Sequence, residues 1–531
     1  MADVRGRGPS GNGYAEHDDN PTKAKATIDI DWREGDLLFG ALHAVRGIPG
    51  IARRVLVRLR PGRHGHHQRP PAIPCCHPGS RERVQQGIHD GYAPASAFIG
   101  CWFYPYISDR WSRKKALLLS SIIFCIGGVI RTAAYNYATV VVGRTIGGIG
   151  TGTLALGAPM YISEVSRLIS VERSSFSSPS PSSEASPSRT GSRMLARTSP
   201  ARPRGACHLH QLPSAMILGA MIQLFPYSPR WLAMQDRHED CLSSLCKLRK
   251  LPASDERVQA EYQGILAEAK FQAVMLERRH AGVRGFKLEV VQWLDLFTVK
   301  SWRRTIVGAG VSTFQQFQGV NGFIYYAPTL FRNIGQSDDM SLILSGIFNA
   351  LQIVGVFIAF ILIDRVGRRP LAIYGGIGNM ICFVVIAALV GTFDSRWGEN
   401  TSAGWACVAM AFLFIIIFGA SYSSLGWALP PEVFPNGMRS KGVAFSVAVN
   451  WLSNFTVGVV TPPMIESIGF GTYVFFACFC GLAAVWAFFL TMGKTLEQMD
   501  EAFGDHSGHE EQEVMREILG GQAVTSKRAA V

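Results

Sequence analysis

The chain has 531 residues, 48% of them hydrophobic and only 17% charged, with a formal net charge of +13. Length alone allows two to four soluble domains. Apolar runs of about 20 residues, separated by short basic loops, point instead to a polytopic helical membrane protein. The positive balance then reads as cytosolic loops rather than a nucleic-acid surface, and the 11 cysteines show neither a paired framework nor metal-ligand spacing.

Residues 1–35 are polar and Gly-rich, with no signal-peptide pattern, and predict a disordered cytosolic tail. A run at Leu37–Leu42 begins like a span and stops, because 46–90 is rich in Arg, His and Pro, including Arg58, Arg60, His64, His66 and His67. Such charges do not enter a bilayer, so this stretch reads as disorder or as translation in a wrong frame.

Ten spans are predicted, at about 93–108, 116–135, 138–162, 213–227, 304–331, 341–363, 370–392, 404–430, 442–464 and 468–491. The first four belong to an N-terminal bundle over 36–232. Its span at 138–162 carries Arg144 among glycines, a charge that needs a carboxylate, and Glu164 is the nearest candidate in sequence. Residues 168–212 form a second interruption, dominated by Ser, Pro and Arg, which as written is a disordered linker or another frame error. The charged, amphipathic stretch 233–302 predicts a cytosolic helical connector. A second bundle follows over 303–492, then a cytosolic tail over 493–531.

The two halves repeat. Asp364–Pro370 echoes Asp109–Lys115, and Pro431-Glu432-Val433 echoes Ser163-Glu164-Val165. Repeated halves around a central linker are a transporter signature, with the site expected between them near the bilayer midplane. Asp109, Arg113, Arg144 and Glu164, with Asp364, Arg368, Glu432 and Arg439, are expected to form cytosolic pairs when the molecule faces outward and to separate when it faces inward.

The span at 304–331 carries Gln315, Gln316 and Asn321 with Tyr325 and Tyr326, and the three amides and Tyr326 are candidate substrate-binding residues. Amides offer donors and acceptors, which suits a neutral polyhydroxylated solute better than an ion. The competing reading is interhelical glue. A straight helix would spread these amides around its surface, so a shared pocket requires local unwinding at Gly319 and Gly322.

Together these residues resemble the sugar porter branch of the major facilitator superfamily, in a fungal-looking form. The marks are Asp-Arg-x-[Ser/Gly]-Arg-[Lys/Arg] in both halves, Pro159–Glu164, Pro226–Leu232, Gln315–Tyr326 and Glu432–Arg439. The resemblance implies an all-α membrane fold of two six-helix bundles, here with the first and fifth spans disrupted. It implies that Gln315, Gln316 and Asn321 bond sugar hydroxyls, with Asn349, Trp427 and Asn450 completing the pocket beside Trp451. It further implies multi-pass insertion in the plasma membrane, cytosolic termini, a monomer, and alternating-access transport of a hexose or related polyol with proton coupling.

The chain departs from that pattern in several places. The acidic element of the family's first span and the glutamine of its fifth are missing, and Ser423-Ser424 stands where Gly-Pro usually precedes Trp427. A quinate-type permease, a non-transporting sensor and a non-functional product of a faulty gene model are the alternatives. No nucleophile–base set, phosphate loop or metal spacing supports an enzyme, cofactor or metal.

Overall fold

The computed structural model describes residues 80–134, 137–165, 211–298, 301–393, 396–434 and 437–490. The N-terminal tail, the run at Leu37–Leu42, most of the two irregular stretches and the C-terminal tail lie outside the described residues, as do the expected first and fifth spans. Every regular element among the described residues is helical. Seven segments there are long and apolar enough to cross a bilayer.

The N-terminal bundle holds α1 (Ser80–Trp111), α2 (Arg113–Thr132), α3 (Tyr137–Val165) and the short α4 (Gln211–Leu224). Helix α1 begins well before the predicted span, so 80–90 are helical rather than irregular. Likewise α4 starts inside the second interruption. With 14 residues, α4 reaches only about 21 Å, less than a hydrocarbon core.

Close packing here rests on the glycines of α3. A Cβ at Gly127 of α2 would lie 2.3 Å from the Gly147 nitrogen, and one at Gly152 would lie 2.2 Å from the Ala97 carbonyl of α1. Hydrogen at these positions lets α3 sit backbone-to-backbone against α1 and α2.

The connector folds into α5 (Pro229–Met234), α6 (His238–Arg249), α7 (Glu256–Arg279) and α8 (Phe286–Asp295). Ser228 caps α5, its hydroxyl accepting from the Trp231 N–H at 3.3 Å, with Pro229 in the first turn where no donor is needed. Trp231, Leu232, Leu245 and Val258 form a small core among α5, α6 and α7.

The C-terminal bundle contains six spans. They are α9 (Trp302–Phe317) with α10 (Val320–Asn333), then α11 (Asp338–Val366) and α12 (Arg368–Phe393), then α13 (Thr401–Ala420) with α14 (Tyr422–Val433), then α15 (Arg439–Ile468) and α16 (Gly471–Leu490). Two predicted spans are therefore broken helices. The first breaks at Gln318–Gly319, where Gly319 takes φ +84°, a left-handed conformation open to glycine. The second breaks at Ser421, with φ −121° and ψ −94°. Phe323 packs on Phe348, Phe383, Phe414 and Tyr473 at the centre of this bundle. The halves meet along α1 and α15, where Ala97, Cys101 and Tyr104 pack with Ala444, Ala448 and Trp451.

Candidate functional site

Both helix breaks lie beside the amides singled out in the sequence. Gln315 and Gln316 occupy the last turn of α9, and Asn321 the first turn of α10 across the Gly319 break. Gly322 lies inside α10, so the unwinding falls on Gly319 alone. Asn450 approaches from α15. Gln315, Gln316, Asn321 and Asn450 are each at most 7% exposed.

The four amides bond one another. Gln316 Nε2 donates to Asn450 Oδ1 at 2.8 Å, Asn450 Nδ2 donates to Gln315 Oε1 at 2.5 Å, and Asn321 Nδ2 donates to Gln316 Oε1. Gln315 Nε2 gives both hydrogens to backbone, reaching the carbonyls of Tyr422 at 3.0 Å and Ser423 at 3.1 Å. The remaining capacity is uneven. Asn321 Oδ1, Asn349 Oδ1 and the indole N–H groups of Trp427 and Trp451 are buried without a hydrogen-bond partner among the described residues. Buried polar atoms left unpaired cost about 1–3 kcal/mol each, so these two acceptors and two indole donors hold hydrogen-bonding capacity that no other described residue uses.

Asn349 donates to the Ser345 carbonyl one turn back on α11 and leaves its oxygen over. Tyr326 does not belong to this amide set: its hydroxyl donates to the Gly458 carbonyl at 2.9 Å and ties α10 to α15. Tyr325 plays a similar part, donating to Asn454 Oδ1 at 3.0 Å. Asn454 has no distinguishing pattern in sequence beyond its place one turn past Asn450 and was not predicted. The same holds for Asn379, buried in α12, which donates to Gln318 Oε1 at 2.8 Å.

The charged residues divide differently from the predicted network. Arg113 Nη1 pairs with Asp109 Oδ1 at 2.7 Å and Arg113 Nε with Glu164 Oε1 at 2.9 Å, while Arg113 also donates to the Ser108 carbonyl at 3.1 Å. One guanidinium thus joins the ends of α1, α2 and α3. Arg144 is not part of that cluster. It lies 20 residues before Glu164 on the same helix, about 30 Å away at 1.5 Å per residue, and is buried. In the second half Arg368 pairs with Glu432 at 3.3 Å. Asp364 ends α11, and its side chain lies outside the described residues. Arg439 donates to the Phe434 carbonyl at 3.4 Å, with Glu268 and Arg230 of the connector as its charged neighbours.

The connector adds contacts that the motifs did not reveal. Glu289 of α8 pairs with Lys441 of α15 at 2.5 Å, and Lys441 is only 5% exposed. One turn on, Trp293 lies against Trp102 of α1, ring centroids 4.6 Å apart, and Trp102 also meets Phe445 of α15 edge-on at 6.1 Å. Helix α8 therefore touches both bundles at the end carrying the basic loops. A Glu and a Trp four residues apart on an amphipathic helix was the signal available in sequence.

Comparison with known proteins agrees with this architecture. The family described as sugar (and other) transporter matches residues 62–169 and 195–503. The match extends into both irregular stretches and leaves 170–194 as the internal gap. A high-affinity glucose transporter of Kluyveromyces lactis is 30% identical over 431 residues, 77% of this chain and 76% of the relative. A probable quinate permease of Aspergillus flavus is 29% identical over 437 residues, 77% of each. The fold is that of the E. coli proton:xylose symporter XylE bound to 6-bromo-6-deoxy-D-glucose, with TM-score 0.65 and 22% identity over 88% of this chain and 97% of that one. The chain is a multi-pass membrane protein of the major facilitator fold and belongs to the sugar (and other) transporter family.

Proposed function

We propose that the chain carries a hexose or related polyol across the membrane by alternating access, with Gln316, Asn321, Asn349, Trp427 and Asn450 contacting the sugar. The observation that carries this is the chemistry of the site. Its named partners are amides, backbone carbonyls and indoles, all uncharged, with unused acceptors on Asn321 and Asn349 and unused donors on Trp427 and Trp451 among the described residues of the same bundle. A pyranose matches such a set, since its C–H face packs on indole while its rim takes hydrogen bonds. A quinate carboxylate would call for a cation that this set lacks. Family likeness supports proton coupling, a plasma-membrane location, cytosolic termini and a monomer as parts of the same proposal.

The test is uptake by proteoliposomes containing the purified chain. Saturable entry of labelled D-glucose or D-xylose, and accumulation above equilibrium under an imposed inward proton gradient, are expected. Entry of quinate with no entry of either sugar would overturn the substrate class.

A further inference from the structure

Helix α8 has two apolar sides, and the contacts between the bundles use only one of them. Glu289 and Trp293 hold the helix against α15 and α1, and Leu296, buried just past its end, packs with Phe434 and Met438. The other side is open. Phe286, Val290, Leu294 and Phe297 are 43–75% exposed. The first three recur every four residues and Phe297 follows at the next turn, so they form one strip along the helix. A contiguous strip of large apolar side chains marks a surface that something apolar covers.

The position of α8 says what that is. Trp293 lies against Trp102, which falls inside the span at 93–108 and about 14 Å before the end of α1 at 1.5 Å per residue. Phe297 meets Phe445 edge-on at 5.3 Å, and Phe445 is about 9 Å into α15. Helix α8 therefore runs beside the last turns of the spans, at the level of a leaflet. It also leads directly into a span. The Thr305 hydroxyl of α9 donates to the Leu296 carbonyl at 2.6 Å, and the exposed Trp302 and Ile306 continue the apolar surface along the outward side of α9.

Charge agrees with lipid as the occupant. Both carboxylates of α8 are engaged, Glu289 by Lys441 and Asp295 by His280 at 2.6 Å. Arg284, Lys287 and Arg303, which flank the strip in sequence, are exposed. An apolar strip edged by cations matches acyl chains under anionic headgroups.

We propose that α8 is an interfacial helix. Phe286, Val290, Leu294 and Phe297 embed in the leaflet on the side of the basic loops, and Arg284, Lys287 and Arg303 meet anionic phospholipid headgroups. The proposal needs the multi-pass fold and is independent of the sugar reading.

The experiment places photoreactive p-benzoylphenylalanine at Phe286, Val290 or Leu294 of the full chain, one position at a time. The chain is reconstituted into phosphatidylcholine vesicles with a minor share of phosphatidylserine. Ile306 serves as the lipid-facing reference and the exposed Glu277 of α7 as the aqueous one. After irradiation, mass spectrometry should find phospholipid adducts at all three positions in yields comparable with Ile306, and none at Glu277. Adducts at Phe286 should be enriched in phosphatidylserine by roughly two- to fivefold over its share, and Arg284→Gln with Lys287→Gln should abolish that enrichment. Three exposed positions keep the test independent of how any one variant folds. Lipid yields no higher than at Glu277 would overturn the proposal, as would adducts formed instead on residues 493–531 or on a second copy of the chain. Lipid adducts without phosphatidylserine enrichment would overturn the headgroup assignment.

Discussion

Replacing Glu289 with glutamine should loosen the closure that α8 makes between the two bundles without touching the amide site. Lys441 is 5% exposed and its carboxylate partner 19%, so the variant leaves a nearly buried ammonium facing a neutral amide. Removing one partner of a buried pair costs about 3–5 kcal/mol. Water reaching the partly exposed side of Glu289 lowers that to about 2–3 kcal/mol. Opening between α1 and α15 must break either the Trp102–Trp293 contact or the Glu289–Lys441 pair, because α8 holds one with each helix.

The variant should therefore shift the closed-to-open equilibrium by roughly 30- to 150-fold. Spin labels at Arg110 and Gly437 read that shift as a longer distance component. The exchange Glu289→Lys with Lys441→Glu should restore much of the closed population, and the double-mutant cycle isolates the pair from general loss of stability. A coupling energy below about 0.5 kcal/mol, in variants with normal melting temperature, would refute the latch.

The basic loops should lie in the cytosol, so cysteines placed at the exposed Arg110 and Arg365 should escape an impermeant thiol reagent in intact cells and react after permeabilisation; labelling of both in intact cells would invert the topology. Burial pushes the Cys241 thiol up to about 11, so at pH 8 only about one molecule in a thousand is thiolate there, and peptide mapping should find Cys241 unmodified by iodoacetamide while the half-exposed Cys246 reacts. If the two irregular stretches come from the gene model, the transcript across codons 46–90 and 168–213 should encode apolar spans; a transporting protein translated as written there would contradict that.

Much of this architecture was legible from hydropathy and repeated loops, because spans in lipid must satisfy every backbone group within the helix and so leave long apolar runs. Gly319 marked the break in 304–331 for the reason it occurs, a left-handed φ. The break at Ser421 gave no such mark, since nothing in Ser421-Tyr422-Ser423-Ser424 demands one by composition. The start of α1 at Ser80 was hidden because Gln85, Gln86, His89 and Asp90 interrupt the apolar pattern between the helix start and the predicted span.

In the candidate site, residue type singled out amides that the fold brings together but could not say which atoms were already used. That depends on Asn450 and the Tyr422 and Ser423 carbonyls, more than 100 residues away. Arg144 and Glu164 were grouped by charge alone, whereas rise along one helix keeps them apart. The Glu289–Lys441 pair joins a connector helix to a span and carries no local motif.

The most direct test of the sugar site is binding of D-glucose and its single-position deoxy analogues to wild type and Asn321→Ala. Asn321 Oδ1 is buried with no partner among the described residues, so a hydroxyl that fills it should be worth about 1–3 kcal/mol. One deoxy analogue should then bind wild type roughly 5- to 150-fold more weakly than glucose, while Asn321→Ala should bind that analogue and glucose alike. Equal discrimination by wild type and Asn321→Ala against every analogue would contradict it, leaving Asn321 as a tie between α9 and α10.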